Sequence, residues 1–126
     1  VALQVITMPD HRYETYRQGV DWIQKHIFPG GHLPSLGAIQ DAVAARSRLA
    51  VSGLENIGSH YVRTLQEWRR RFTDAGSAVQ RLGFDETFTR KWFYYLCYCE
   101  AACAAHAIDT VHIVLEDRVA PRAAGA

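Results

Sequence analysis

The chain has 126 residues, of which 48% are hydrophobic and 21% are charged, and its formal net charge is +1. This composition excludes a disordered chain and predicts one globular domain with a substantial core. The near-zero charge gives no support to nucleic-acid binding. The basic run Arg69–Arg71 gives none either, because its side chains would point in different directions around a helix. We therefore expect no nucleic-acid partner.

The apolar runs and the cysteines bear on localisation. No apolar stretch in the sequence approaches the ~20 residues that a membrane span needs. Cys97, Cys99 and Cys103 are odd in number and tightly clustered, which is not the pattern of a secreted disulfide framework, so we expect a reducing cytoplasm. The apolar run Val1–Ile6 begins without Met, and we interpret the chain as a truncated or cleaved product.

The first half of the chain predicts strands that alternate with helices. The short apolar run Ala2–Thr7 is typical of a strand covered on both faces, which implies a parallel sheet. Apolar residues then recur at helical spacing from Tyr13 to Ile27, which predicts one helix that ends at Pro29-Gly30-Gly31. The remaining elements of this half are a helix from Pro34-Ser35 to about Arg46 and a strand within Leu49–Ile57.

The second half predicts two long helices and a closing strand. The first helix opens at Gly58-Ser59 and has an apolar stripe at Tyr61, Leu65, Trp68 and Phe72. The segment 73–83 continues or restarts that helix, with Gly76 as its weak point. The later elements are a helix capped by Asp85 that runs to about His106 with the stripe Phe88, Trp92, Tyr95, Cys99 and Cys103, a strand within Ile108–Leu115, and a disordered tail at 118–126.

Strands separated by helices predict an α/β layer structure. Three predicted strands would leave bare sheet edges, however, and exposed edges are a liability. We expect either that another polypeptide supplies the missing strands or that the chain is part of a larger domain.

Two groups of residues could carry chemistry on spacing alone. Cys99, Cys103 and His106 follow i, i+4, i+7 spacing and could present three zinc ligands on one helix face. The alternative, which we favour, is close helix packing, because buried cysteine behaves as a small hydrophobe. In the same way the aromatic stripes favour an ordinary core, with an aromatic wall beside a cationic ligand as the alternative. We expect no metal.

The phrase IFPGG-x-LPS followed by IG-x-x-Y-x-x-TL-x-x-W is far more specific than a lone glycine motif. This phrase and two further segments resemble the family of cyclopropane-fatty-acyl-phospholipid synthases and mycolic acid cyclopropane synthases, which are S-adenosylmethionine (SAM)-dependent methyltransferases. The resemblance covers almost all of the chain up to about Leu115 and indicates the C-terminal portion of a family member. The matching segments are Leu3–Thr7, Ile27–Ser35, Gly58–Tyr61 and Trp92–Cys99.

The resemblance implies the C-terminal part of a Rossmann-like methyltransferase sheet with inserted helices, over residues 1–117. In the family, SAM binds mainly at an N-terminal glycine-rich turn, so we expect no cofactor-binding residue in this chain. The inserted helices help to form the acyl channel. The implied reaction transfers a methyl group to the cis double bond of a phospholipid acyl chain, after which loss of a proton closes a cyclopropane. Bicarbonate is the implied base.

The resemblance also assigns site residues. Tyr61 matches a tyrosine that donates its hydroxyl to bicarbonate, and Cys99 matches a cysteine that contacts the same ion, so both are predicted to be catalytic. Ile6 matches a position that contributes backbone. Gln4 replaces a family histidine, but its amide N–H can still donate to the anion.

Other functions remain open at this point. Relatives with this scaffold methylate amines, which leaves a small-molecule N-methyltransferase, or make methyl-branched acyl chains. A different class would be a non-catalytic partner of a separate SAM-binding subunit. The partners we expect are a phospholipid acyl substrate, a membrane surface contacted peripherally, and the missing N-terminal SAM-binding half or subunit, with a homodimer as a further option.

Overall fold

The computed structural model describes residues 1–118. Within this range no helix is both long enough and apolar enough to cross a membrane. Apart from Arg118, the predicted disordered tail at 118–126 lies outside the described residues. The elements are β1 (Ala2–Thr7), α1 (Asp10–Arg17), α2 (Trp22–His26), α3 (Leu36–Arg46), β2 (Leu49–Asn56), α4 (Gly58–Asp74), α5 (Gly76–Arg81), α6 (Glu86–Ala104) and β3 (Asp109–Asp117).

The described strands form a sheet in the order β1-β3-β2, with β3 antiparallel to both neighbours. Val5 and Leu54, for example, lie opposite Val111 and Ile113 of β3. The prediction of a parallel sheet was therefore wrong for these strand pairs. An apolar run indicates a strand but not its direction, and β3 inserts between β1 and β2 in the opposite sense. The outer strands β1 and β2 form the edges of this sheet, as the bare-edge argument expected.

One face of the sheet carries an aliphatic core. Val111, Ile113 and Leu115 alternate along β3 and are each at least 96% buried. The helix α3 packs its apolar stripe, Leu36, Ile39 and Val43, against this cluster. The Ser35 side chain caps α3 by accepting from the Ala38 N–H at 3.1 Å, as the sequence predicted.

The helices α4 and α6 pack together and form a second core. Leu65 of α4 meets Leu96, Cys99 and Cys103 of α6, all of them buried. At the edge of this contact Arg69 Nε donates to Glu100 Oε2 at 2.9 Å. Both predicted stripes thus face each other, although Trp68, predicted in the core, is 47% exposed.

The predicted single helix between Asp10 and Pro29 is two helices. The first ends at Arg17, and the side chain of Asp21 then accepts from the Gln24 N–H in a capping box that starts α2. Val20, predicted in the helical stripe, lies in the connection and is 75% exposed. The local capping signal of Asp21 therefore overrides the periodicity.

Candidate functional site

A small apolar cavity of about 110 Å³ lies between β1, α2 and α6. The motif IFPGG-x-LPS supplies part of its wall, because the loop after α2 folds over it. Gln24 Nε2 donates to the Gly31 carbonyl at 2.7 Å, and the Tyr16 hydroxyl accepts from the Leu33 N–H at 3.2 Å. The lining residues are Ile6, Tyr16, Asp21, Ile23, Gln24, Phe28, Gly31, His32, Leu33, Tyr95, Cys99 and Ile108.

Cys99 lies in the wall of this cavity because the apolar stripe of α6 turns it inwards. Burial, the largest effect, raises the pKa of its thiol to about 11, and the nearby Cys103 acts in the same direction. The Tyr95 hydroxyl lies beside the thiol, and its hydrogen bond offsets part of this rise in the pKa of Cys99. Because the thiolate is the reactive form, Cys99 is an unreactive neutral thiol near pH 7.

Two tyrosines flank Cys99. Burial raises the pKa of Tyr95 to about 12 and also raises the pKa of Tyr61, whose neighbours are Cys103 and Cys99. Both hydroxyls are therefore protonated near pH 7 and can donate hydrogen bonds. The Tyr95 ring meets Phe28 edge-on, with the ring centroids 5.6 Å apart, so aromatic surface borders the cavity.

Gln4 lies on β1 two residues before Ile6, so the two side chains share a face of the sheet. Its amide oxygen lies 2.9 Å from Nε2 of His112, the residue opposite it on β3. Glu55 of β2 completes the row, with Oε2 3.6 Å from His112 Nδ1. Beside this row Thr110, opposite Ile6, is fully buried, and its hydroxyl has no partner within the described part of the chain.

The structure thus brings three of the four sequence-predicted site residues together. Ile6 and Cys99 line one cavity, and Tyr61 packs against the cluster that contains Cys99. Gln4, the fourth, does not line the cavity and pairs with His112 instead.

Sequence reasoning missed Tyr95 as a cavity residue and did not single out Thr110 or His112. Tyr95 was predicted as part of a core stripe, with an aromatic wall beside a cationic ligand as the alternative. The alternation of β3 places Thr110 and His112 opposite its aliphatic face, but finding their partners requires the strand register.

The zinc alternative fails on geometry. The helix α6 ends at Ala104, so His106 does not continue the i, i+4, i+7 face. His106 adopts a left-handed backbone with φ of 51° and is exposed, while Cys99 and Cys103 are buried. Among residues 1–118 no three His, Cys, Asp or Glu side chains come together as metal ligands would.

The α/β fold with its helical layer matches part of two solved cyclopropane synthases. Mycolic acid cyclopropane synthase CmaA1, solved in complex with SAH and CTAB, matches 90% of this chain with a TM-score of 0.76 and 25% identity, and the match covers 42% of that protein. The cyclopropane synthase MmaA2 from Mycobacterium tuberculosis shares the fold, also at a TM-score of 0.76 but with 20% identity, with the same coverage of both chains.

The family follows from sequence. Residues 1–113 match the family described as mycolic acid cyclopropane synthetase, and the chain belongs to that family. Tuberculostearic acid methyltransferase UfaA1 of Mycobacterium tuberculosis is 44% identical over 109 residues, which are 86% of this chain and 26% of that protein. Cyclopropane-fatty-acyl-phospholipid synthase of Escherichia coli K12 is 34% identical over 93 residues, 74% of this chain and 24% of that protein. The chain spans about a quarter of these relatives.

Proposed function

We propose that residues 1–117 are the C-terminal half of the methyltransferase domain of an enzyme that acts on phospholipid acyl chains. The enzyme transfers a methyl or methylene group from SAM to a cis double bond. The observation that carries this proposal is the apolar cavity, whose thiol and phenol groups are held neutral by burial.

The neutral wall suits an alkene substrate because an alkene is a weak nucleophile. When bound, SAM supplies an electrophilic methyl group, which a thiolate beside the site would intercept. The raised pKa of Cys99 keeps that thiol protonated, so the protein offers no stronger nucleophile than the double bond. Cys99 then acts through shape and hydrogen bonding rather than as a covalent nucleophile.

Methyl transfer to a double bond leaves a positive charge on the acyl chain, which water would trap. The Gln24 and Tyr16 bonds hold the Gly31–Leu33 loop over the cavity, and this closure limits water entry. The rings of Phe28 and Tyr95 border the same space and can stabilise a cation through their faces.

The final loss of a proton needs a base, and we assign the anion site to Gln4, Ile6, Tyr61 and Cys99. Gln4 lies outside the cavity wall but shares a face of β1 with Ile6, which lines it. Their chemistry fits bicarbonate, since the Tyr61 hydroxyl, the Gln4 amide and a backbone N–H are neutral donors. The hydroxyl of Thr110, opposite Ile6, has no partner among residues 1–118 and is a further donor on this face. Bicarbonate would accept the proton there.

The remaining parts of the proposal concern what lies outside this chain. We assign SAM binding to an N-terminal half or a separate subunit, since the sequence holds no glycine-rich cofactor turn. In the part of the chain that the structure describes, β1 and β2 each have one unpaired edge, which leaves room for more strands. We also propose a cytoplasmic enzyme that meets its lipid at the membrane surface.

The test uses the full-length protein with methyl-labelled SAM and vesicles of unsaturated phospholipid, with saturated phospholipid as the control. We expect label in the acyl chains of unsaturated vesicles alone. Mild hydrogenation reduces a methylene-branched alkene but leaves a cyclopropane intact, so the two products then differ by two hydrogens in mass spectrometry, a distinction that the names of the two curated relatives leave open. Label on an amine instead would support the N-methyltransferase, and full-length protein that transfers no label would support the non-catalytic partner.

A further inference from the structure

The polar row Gln4, His112 and Glu55 crosses all three described strands. His112 on β3 lies opposite Gln4 of β1 and opposite Glu55 of β2 in the strand register. The Gln4 oxygen contacts Nε2 of the ring at 2.9 Å, and the Glu55 carboxylate lies 3.6 Å from Nδ1. Each ring nitrogen of His112 therefore has a different partner.

The Gln4 amide offers an acceptor on one side and two donors on the other. When His112 Nε2 carries a hydrogen, the Gln4 oxygen accepts it and the NH₂ group is free for another acceptor. When Nε2 carries no hydrogen, the amide must rotate to donate its own N–H to the ring. The carbonyl oxygen then points away from His112. An outward carbonyl repels an anion, whereas an outward NH₂ binds one.

Glu55, whose side chain is 73% exposed, biases the protonation of the ring through a solvent-screened charge. In neutral imidazole only one nitrogen carries a hydrogen, and a carboxylate near Nδ1 favours that position, which leaves Nε2 bare. The doubly protonated ring can donate to Gln4 and attract Glu55 at once. The contact at 3.6 Å is an ion pair rather than a hydrogen bond, so its contribution is electrostatic.

Among residues 1–118, the other groups near His112 do not compete for it. From the flanking strands the facing side chains are Gln4 and Glu55, and its neighbours on the same face of β3 are Thr110 and Val114. The helix α4 packs on β3, and its Tyr61 stays neutral because burial raises its pKa. At the start of β3, Asp109 is engaged by the Asn56 amide at 2.6 Å.

We propose that His112 is a positioning residue that orients the Gln4 amide, so that the NH₂ group faces the bound anion when the imidazole is doubly protonated. This inference rests on the anion site of the proposed function. The imidazole is thus supplied from the neighbouring strand and acts through the Gln4 amide.

The test measures the bicarbonate requirement of the full-length enzyme as a function of pH. His112→Leu removes the donor, and we expect the bicarbonate concentration for half-maximal rate to rise roughly tenfold, the effect of one hydrogen bond to a charged group. His112→Gln can donate to Gln4 at every pH, so it should restore bicarbonate use and flatten the pH profile. Val114→Thr, on the same face of β3, is the matched control.

A double-mutant cycle separates positioning from a structural role. In a Gln4→Ala background, His112→Leu should have no further effect on the bicarbonate requirement, because no amide remains to be oriented. Equal effects in both backgrounds, or a His112→Gln profile identical to that of the parent, would overturn the inference while the anion site stands. If His112→Leu does not fold, the His112→Gln profile alone decides. A parent enzyme that ignores bicarbonate overturns the anion site and this inference, but not methyl transfer itself.

Discussion

The sheet core and the helical core of this chain differ in chemistry. The sheet core is aliphatic and is formed along β3, whereas the helical core places thiols and phenols beside leucines. Aliphatic side chains contribute burial and shape alone, while the thiols and phenols add hydrogen-bonding groups that stay neutral when buried. We therefore assign a structural role to the sheet core and a role in the reaction to the helical core. The members are Val111, Ile113 and Leu115 in the first, and Leu65, Leu96, Cys99 and Cys103 with Tyr61 and Tyr95 at their edge in the second.

The largest expected effect is complete loss of cofactor binding in the isolated chain, since we assign neither core to SAM. Calorimetric titration of SAM into the 126-residue chain should give no heat, while the full-length protein binds. Saturable binding by the isolated chain at low micromolar SAM would show that one of the two regions holds the cofactor.

Ile113→Ala tests the scaffold side of the comparison. Ile113 is 1% exposed, so the cavity left behind should lower the free energy of unfolding of the full-length protein by about 2–5 kcal/mol. Urea denaturation measures this, and Ile113→Val, at about 0.5–1.5 kcal/mol, is the graded control. The activity of the folded enzyme should stay near that of the parent. Lost activity with unchanged stability would reverse the assignment.

Tyr61→Phe tests the chemical side. The substitution keeps the ring but removes a protonated hydroxyl, and a lost hydrogen bond to a charged group costs about 1.5–3 kcal/mol. We expect methyl transfer to slow by roughly ten- to a hundredfold, with little change in stability. Tyr94→Phe is the matched control, because Tyr94 is 49% exposed and does not line the cavity. Parent-like activity of Tyr61→Phe, together with indifference to bicarbonate depletion, would return Tyr61 to an ordinary core residue.

The smallest effect is the pH dependence of stability. Burial raises the pKa of Cys99 from 9.0 to about 11, so between these values the folded state keeps a proton that the unfolded state has lost. The resulting stability is fully present below about pH 9 and falls as the pH rises towards 11. Cys99→Ser should flatten part of this decline in urea denaturation and should retain turnover. Identical slopes for parent and variant would mean that the thiol is not buried in the full-length protein.

Much of the fold could be predicted from local patterns. The strand Ala2–Thr7 and the caps at Ser35 and Asp85 are confirmed because each depends on neighbouring residues only. The antiparallel insertion of β3 could not be predicted, since strand direction depends on pairing between distant segments. The break before Asp21 was missed because apolar spacing outweighed its capping box in the prediction.

In the site too, features set by neighbouring residues could be predicted, whereas pairings between distant segments could not. Helical spacing places Tyr61 and Cys99 on facing stripes, and the structure confirms that they share a cluster. The pairing of Gln4 with His112 joins residues 108 positions apart and follows only from the register of β1 on β3. Local sequence therefore predicts most of the side chains that enter the helical core, Trp68 being the exception, but not which polar groups meet across the sheet.

Photocrosslinking tests most directly the claim that the helical core borders the acyl chain. An unsaturated phospholipid with a diazirine near its double bond is bound to the full-length enzyme, irradiated and digested for mass spectrometry, and a probe with a headgroup diazirine is the control. We predict adducts on the cavity wall, at Phe28, Tyr95 or Cys99, that unlabelled unsaturated phospholipid suppresses. Adducts confined to other parts of the protein, or adducts that resist this competition, would contradict the account.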